Sequence, residues 1–118
     1  MPLHAEQLVE LKQHFPQLQC FEEGQQGYVF FPEFLLPTGT TPAKCDLLLC
    51  PHARDGYPSR LFFSMQVARS PTARTKDVIN WNGQVRLIER NWHAFSWKFA
   101  DGTYTLTQLL TLHLGALQ

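Results

Sequence analysis

The segment from Cys45 to Trp97 is the most informative about the fold and contains, in order, CDLLLC (45–50), GYP (56–58), LFFSM (61–65), NWNG (80–83) and WHAFSW (92–97). Segment 45–50 is almost wholly apolar, which is typical of a central strand covered on both faces. A turn with tyrosine and proline leads to a second strand at 61–67. The polar residues 68–79 then predict a surface loop before the tryptophans.

Strands are also predicted before this stretch. Segments 18–22 and 28–31 flank a polar, glycine-containing connection at 23–27, which predicts a hairpin. The second segment closes at Pro32, and residues 34–36 extend it as an edge segment. Four consecutive strands with short connections favour an antiparallel meander over a parallel sheet.

A helix is predicted at each end of the chain. Leu8, Leu11 and Phe15 recur with helical spacing, and Pro16 ends that helix. Near the other end, Thr103 or Thr105 is the expected N-cap of a helix so rich in leucine that it must lie on the sheet. Between the sheet and this helix, we expect Val85, Leu87 and Ile88 to form only a short, irregular apolar anchor. The fold class is therefore α+β.

Size and charge limit the functions that we consider. The chain has 118 residues, which suits one domain, and its ten basic side chains balance ten acidic ones. We therefore expect neither nucleic acid nor a membrane surface as a partner. The first residues do not resemble a signal peptide, and no stretch of about 20 apolar residues occurs, so a cytoplasmic location is expected.

The cysteines and histidines do not predict a metal or cofactor site. The three cysteines are an odd number without a Cys-x-x-Cys pair, and the five histidines lack a His-x-x-x-His pair. No glycine-rich phosphate loop is present. We expect free thiols, no metal and no cofactor.

This order of parts resembles the ubiquitin-conjugating enzyme superfamily, in particular a bacterial branch that ends in a Trp-x-x-x-Ser-Trp-like segment and a leucine-rich helix. The resemblance covers almost the whole chain, although each motif is short. It implies a ubiquitin-conjugating-enzyme-like fold with an N-terminal helix, a four-strand antiparallel meander, an active-site segment and a C-terminal helix packed on the sheet. It also implies three partners: a ThiF-like adenylating enzyme, a ubiquitin-like modifier protein and a JAB-type metallopeptidase.

The resemblance places a glutamine where the family has its catalytic cysteine. Family members carry the cysteine eight positions before a tryptophan, and counting back from Trp92 reaches Gln84. Residues 80–83 then correspond to the family's His-Pro-Asn stretch, with Asn80 and Asn82 as polar support. The resemblance also makes Leu8 and Lys12 of the first helix, and Tyr57 and Pro58 of the turn, the expected partner-binding residues.

Three chemical interpretations follow from this substitution. The domain binds a modifier or its activating enzyme without catalysis, or a hydroxyl forms an oxyester, or one of the three cysteines is catalytic. A hydroxyl nucleophile needs a base or an oxyanion donor beside it. Its candidates are Ser70, Thr72, Thr75 and Ser96. The alternative from another class is a non-catalytic protein-interaction module unrelated to conjugation.

Overall fold

A computed structural model describes residues 5–52, 56–57, 59–74, 79–95, 97, 99 and 102–118. These residues form an α+β architecture with two helices and a six-stranded antiparallel sheet in the order β1-β2-β3-β4-β6-β5. The predicted fold class is confirmed at this level. The elements are α1 Ala5–His14, β1 Gln19–Glu23, β2 Gln26–Leu35, β3 Lys44–Cys50, β4 Arg60–Phe63, β5 Trp81–Leu87, β6 Arg90–Phe95 and α2 Leu106–Leu114, followed by the 3-10 turn Gly115–Leu117.

The first four strands pair in chain order, as the predicted meander requires. The predicted extension beyond Pro32 is confirmed, because β2 continues to Leu35, whereas the predicted closing of the strand at Pro32 is wrong. A register shift between Phe31 and Phe34 accommodates Pro32, whose missing N–H a regular ladder does not tolerate. Glu33 has a φ of 47° there, and its N–H donates to the Asp46 side chain at 2.7 Å.

The predicted number of four strands is also wrong. Residues expected to be an irregular anchor form β5 and β6, a hairpin whose two-residue turn is Ile88-Glu89. Both turn residues have positive φ, 45° and 63°, which is the geometry of a type I′ turn. β6 joins the meander through one ladder pair, Phe63 with His93. The hairpin is therefore held to the sheet mainly by side chains.

One face of the sheet is covered by α1 and α2. Leu11 of α1 is fully buried, and Leu106, Leu109 and Leu110 of α2 pack into the same core. Thr105 is the N-cap of α2, with a capping box in which its hydroxyl accepts from the Gln108 N–H. Both predicted helices are confirmed. Of the two predicted N-cap candidates, Thr103 and Thr105, the N-cap is Thr105.

The opposite face is covered by the β5–β6 hairpin. Trp92 is fully buried there with Leu48 and Phe62, and its indole N–H donates to Leu87 O at 3.0 Å. The turn reaches the far edge of the sheet, where the Ile88 N–H donates to the Glu23 carboxylate at 3.2 Å. Arg90 pairs with Asp46 of β3 at 2.8 Å. Both faces of β3 are thus covered, as its apolar sequence predicts.

Candidate functional site

Two of the sequence motifs meet where the connection between β3 and β4 approaches the start of β5. Asn82 donates from Nδ2 to the Tyr57 hydroxyl at 3.4 Å, and its Oδ1 accepts from Arg60 Nη2 at 3.1 Å. The guanidinium of Arg60 also lies 4.5 Å from the centre of the Tyr57 ring, within the range of a cation–π contact. The structure therefore brings together Tyr57 and Asn82, which are 25 residues apart.

Arg60 holds this cluster against the sheet. Its side chain is buried with the residue only 6% exposed, and it donates to Phe95 O at 3.3 Å. Gly83 lies beside it, and a Cβ at Gly83 would meet Arg60 Nη1 at 3.5 Å, an ordinary van der Waals distance. A buried arginine was not predicted. The local sequence does not predict its burial, because Arg60 is a charged residue at the start of the apolar strand β4.

Gln84 lies in the middle of β5, opposite His93 of β6. Its side chain is exposed, and it lines a shallow groove of about 400 Å³ together with five residues of the hairpin. These residues are Val85, Arg86, Asn91, Trp92 and His93. Asn80 is exposed just before the strand begins. An amide at Gln84 binds by hydrogen bonds only and cannot carry an acyl group as a thiolate does.

The predicted hydroxyl candidates lie in other places. Ser70 and Thr72 bond to each other, with their side-chain oxygens 2.9 Å apart, and the Thr72 N–H donates to Ser70 Oγ. They line a different groove, of about 710 Å³, beside Gly115 and the C-terminal residues. Thr75 and Ser96, also candidates, and Pro58 of the turn lie outside the described residues.

A buried chain of hydrogen bonds joins β2, β3, α2 and the residue that precedes β4. His52 Nε2 lies 3.2 Å from Gly27 O, which accepts, and His52 Nδ1 lies 3.3 Å from Cys50 Sγ. The Cys50 thiol donates to His52 O at 3.5 Å. The Ser59 hydroxyl donates to Cys50 O at 2.6 Å and accepts from His113 Nε2 at 2.9 Å. Sequence spacing does not reveal the Ser59–His113 pair, because its members are 54 residues apart.

These hydrogen bonds stabilise the fold and do not form a catalytic site. Ser59 is 1% exposed and Cys50 is fully buried, so neither reaches a substrate in solution. Burial, and to a smaller extent the nearby Arg60, lowers the pKa of His113 to about 4. His113 is therefore neutral at physiological pH. Its burial and its bond to Ser59 are those of a structural residue.

The remaining thiols are not activated either. Burial raises the pKa of Cys45 to about 11, and partial burial raises that of Cys20 despite the nearby Lys12. A reactive cysteine needs the opposite shift, together with access. Across the described residues, no serine, threonine or cysteine is both exposed and hydrogen-bonded to a histidine or carboxylate. The same residues contain no group of three or more ligands placed to hold a metal.

The predicted residues of the first helix lie on two sides of α1. Leu8 is half-buried against the helix-covered core, whereas Lys12 is exposed. The helix is one of the two that cover one face of the sheet, and it is far in sequence from the Tyr57–Asn82 cluster. Among the described residues, no helix has the length and apolar character needed to span a membrane.

Comparisons of this chain with protein-family models, with curated proteins and with solved structures find no match. The class that the fold defines is an α+β domain whose sheet is covered by two helices on one face and by its own hairpin on the other. Its candidate site is the cluster of Tyr57, Arg60 and Asn82 with the adjoining groove at Gln84.

Proposed function

We propose that this domain is a non-catalytic, ubiquitin-conjugating-enzyme-like component of a bacterial ubiquitin-like conjugation pathway. It binds a ThiF-like adenylating enzyme, the ubiquitin-like modifier, or both, and a JAB-type metallopeptidase is a further expected member of the pathway. The element order supports this proposal, because α1, the meander β1–β4 and α2 follow one another as the resemblance implies. In chain order the β5–β6 hairpin follows the meander, where the resemblance implies the active-site segment.

One observation is the main support for a binding role without catalysis. The hydrogen bond between Asn82 and Tyr57 joins two of the residues for which the resemblance implies a role, and Gln84 lies two residues further along β5 and is exposed. In a catalytic member a nucleophile is expected at this position. Here an amide occupies it, and the hydroxyls and thiols of the described residues lack the combination of access and base that transfer requires.

The test uses the full chain with the adenylating enzyme and modifier encoded nearest to its gene, in the presence of ATP. We expect co-elution with one of these proteins in size-exclusion chromatography and no mass increase by intact mass spectrometry. An adduct that survives reductant but is cleaved by hydroxylamine would assign the chemistry to a hydroxyl. An adduct lost to reductant would assign it to a cysteine. Either adduct overturns the non-catalytic role.

The variant Gln84→Cys tests whether position 84 is equivalent to the nucleophile. A thiol at this exposed position should gain a reductant-labile adduct with the modifier, because its thiolate attacks the adenylated C-terminus of the modifier, displaces AMP and forms a thioester. Asn91→Cys, on the neighbouring strand and equally exposed, is the matched control and should remain unmodified. If neither co-elution nor any adduct is observed, the conjugation role fails for that partner set and an unrelated interaction module remains.

A further inference from the structure

β5 is an end strand of the sheet, and its free edge has a definable register. The type I′ turn at Ile88-Glu89 makes Leu87 and Arg90 a hydrogen-bonded pair. Antiparallel pairing alternates, so Val85 also bonds to β6, whereas Gln84 and Arg86 direct their backbone N–H and C=O groups away from the sheet. In the described part of the chain, no further strand pairs with this edge.

The two edges of the sheet differ in how they are protected. β1 has five residues with Glu22 and Glu23 among them, and the Glu23 side chain is engaged by the turn of the hairpin. β5 has seven residues, and the protective features found there among the described residues are the charge of Arg86 and a register irregularity at its first residues. Proteins usually block edges with charges, bulges or short strands, because an open edge pairs with another chain.

The side chains beside this edge have unused capacity for hydrogen bonds. Gln84, Arg86 and Asn91 are exposed, and none has a side-chain hydrogen bond to another described residue. His93 Nδ1 is out of contact with solvent and also lacks a partner among those residues. The groove that these four residues line has a volume of about 400 Å³ and contains no acidic side chain. Its chemistry suits a ligand with acceptor groups and negative charge.

We propose that the β5 edge binds an extended segment of a partner protein with acidic side chains, which adds to the sheet as a seventh strand. The N–H and C=O groups of Gln84 and Arg86 then bond to the backbone of that segment, as in other cases of strand addition. An acidic side chain of the segment lies opposite Arg86, within the 4.5–5.5 Å typical of cross-strand neighbours. This inference does not depend on the proposed conjugation role.

The probe is a capped synthetic peptide of the length of β5 that alternates valine and glutamate, with a valine–lysine peptide as its charge-reversed control. Amide hydrogen exchange by NMR gives a specific signature. Saturating valine–glutamate peptide should slow exchange at Gln84 and Arg86 by at least about tenfold. It should leave Val85 almost unchanged, since that amide already bonds to β6. The valine–lysine peptide should bind at least about tenfold more weakly.

Two variants test the edge and the charge separately. Gln84→Pro removes an outward N–H without removing a bond to β6, and Arg86→Glu reverses the charge; each should weaken binding by about tenfold or more. Glu22→Pro is the matched control, because the alternation on β1 likewise directs the Glu22 N–H outward, and it should leave binding unchanged. If Gln84→Pro does not fold, the peptide affinity of Arg86→Glu alone tests the proposal.

Four results would overturn the proposal. The first is absence of peptide binding, and the second is equal binding of both peptides. The third is protection that maps to β1 rather than β5. The fourth is slowed exchange at Gln84 and Arg86 in the protein alone that increases with its concentration, since a second copy of the chain would then be the occupant. None of these measurements uses an adenylating enzyme or a modifier, so they are independent of the test of the proposed function.

Discussion

The two faces of the sheet are covered in different ways. On one face, α1 and α2 contribute leucines that pack on the strands, and backbone hydrogen bonds are satisfied within each helix. On the other face, the β5–β6 hairpin crosses the strands and is held by Trp92, by Arg90 with Asp46, and by Ile88 with Glu23. A small domain can therefore close a second core with its own last strands, without a third helix.

The largest expected effect concerns the residue that fills the hairpin-covered core. Trp92→Ala should lower the free energy of unfolding by about 4 kcal/mol, because it empties a fully buried site and removes the indole bond to Leu87 O. Phe31→Ala, a 1%-exposed aromatic on the helix-covered face, is the matched comparison and should cost about as much. Urea denaturation measures both. A loss below about 1 kcal/mol for Trp92→Ala would mean that the hairpin does not form a true second core.

Acid should weaken the helix-covered side specifically. The folded state keeps His113 neutral down to a pKa of about 4, whereas the unfolded chain takes up the proton near the ordinary value of 6.5. The free energy of unfolding therefore loses nothing to this group above about pH 6.5 and decreases as the pH falls towards 4. At 1.36 kcal/mol per pKa unit, the decrease is about 3 kcal/mol.

Denaturation between pH 7 and pH 4 measures this loss. His113→Leu removes the titrating group, so the variant should lose about 3 kcal/mol less than the wild type over the same range. Equal pH dependence in the two proteins would contradict the assignment to His113. Native-state hydrogen exchange should show that amides of α2 and β4 lose protection before those of the hairpin turn.

The smallest effect concerns the turn on which the hairpin depends. Glu89 has a φ of 63°, a conformation that costs free energy for a residue with a Cβ and that glycine adopts readily. Glu89→Gly should raise the free energy of unfolding by about 0.5–1 kcal/mol, measured by thermal or urea denaturation. Glu22→Gly, in the exposed edge strand β1, should instead lower it. A loss of stability in Glu89→Gly would show that its side chain contributes more than the strain costs.

Much of the fold could be predicted from local patterns. The stripe of Leu8, Leu11 and Phe15 is sufficient to predict α1, and Thr105 with Gln108 forms a capping signal for α2. The first hairpin also has a local signal, because Gly24 accepts the positive φ of its turn. The second hairpin, β5–β6, has no such turn signal in its sequence. Its turn is Ile88-Glu89, and a β-branched residue is disfavoured at positive φ.

The candidate site could be predicted only in part. Tyr57 and Asn82 were expected to be functional, and the structure brings them into contact. Arg60, which bonds to Asn82 and stacks on Tyr57, was not predicted, because no local pattern distinguishes it from other charged residues. The pair of Ser59 and His113 was missed for the same reason. Such contacts join residues distant in the chain, and nothing in the local sequence specifies which strands and helices meet.

Local sequence patterns are sufficient to predict the α+β class, the two helices, the meander and the burial of β3, because hydrophobic period, caps and turn residues act over a few neighbouring positions. The hairpin of residues 81–95 and the burial of Arg60 depend instead on contacts between distant parts of the chain. Burial of Trp92 against Phe62 and Leu48 stabilises the hairpin enough to overcome the unfavourable φ of Ile88. That balance depends on surfaces that exist only once the chain has folded.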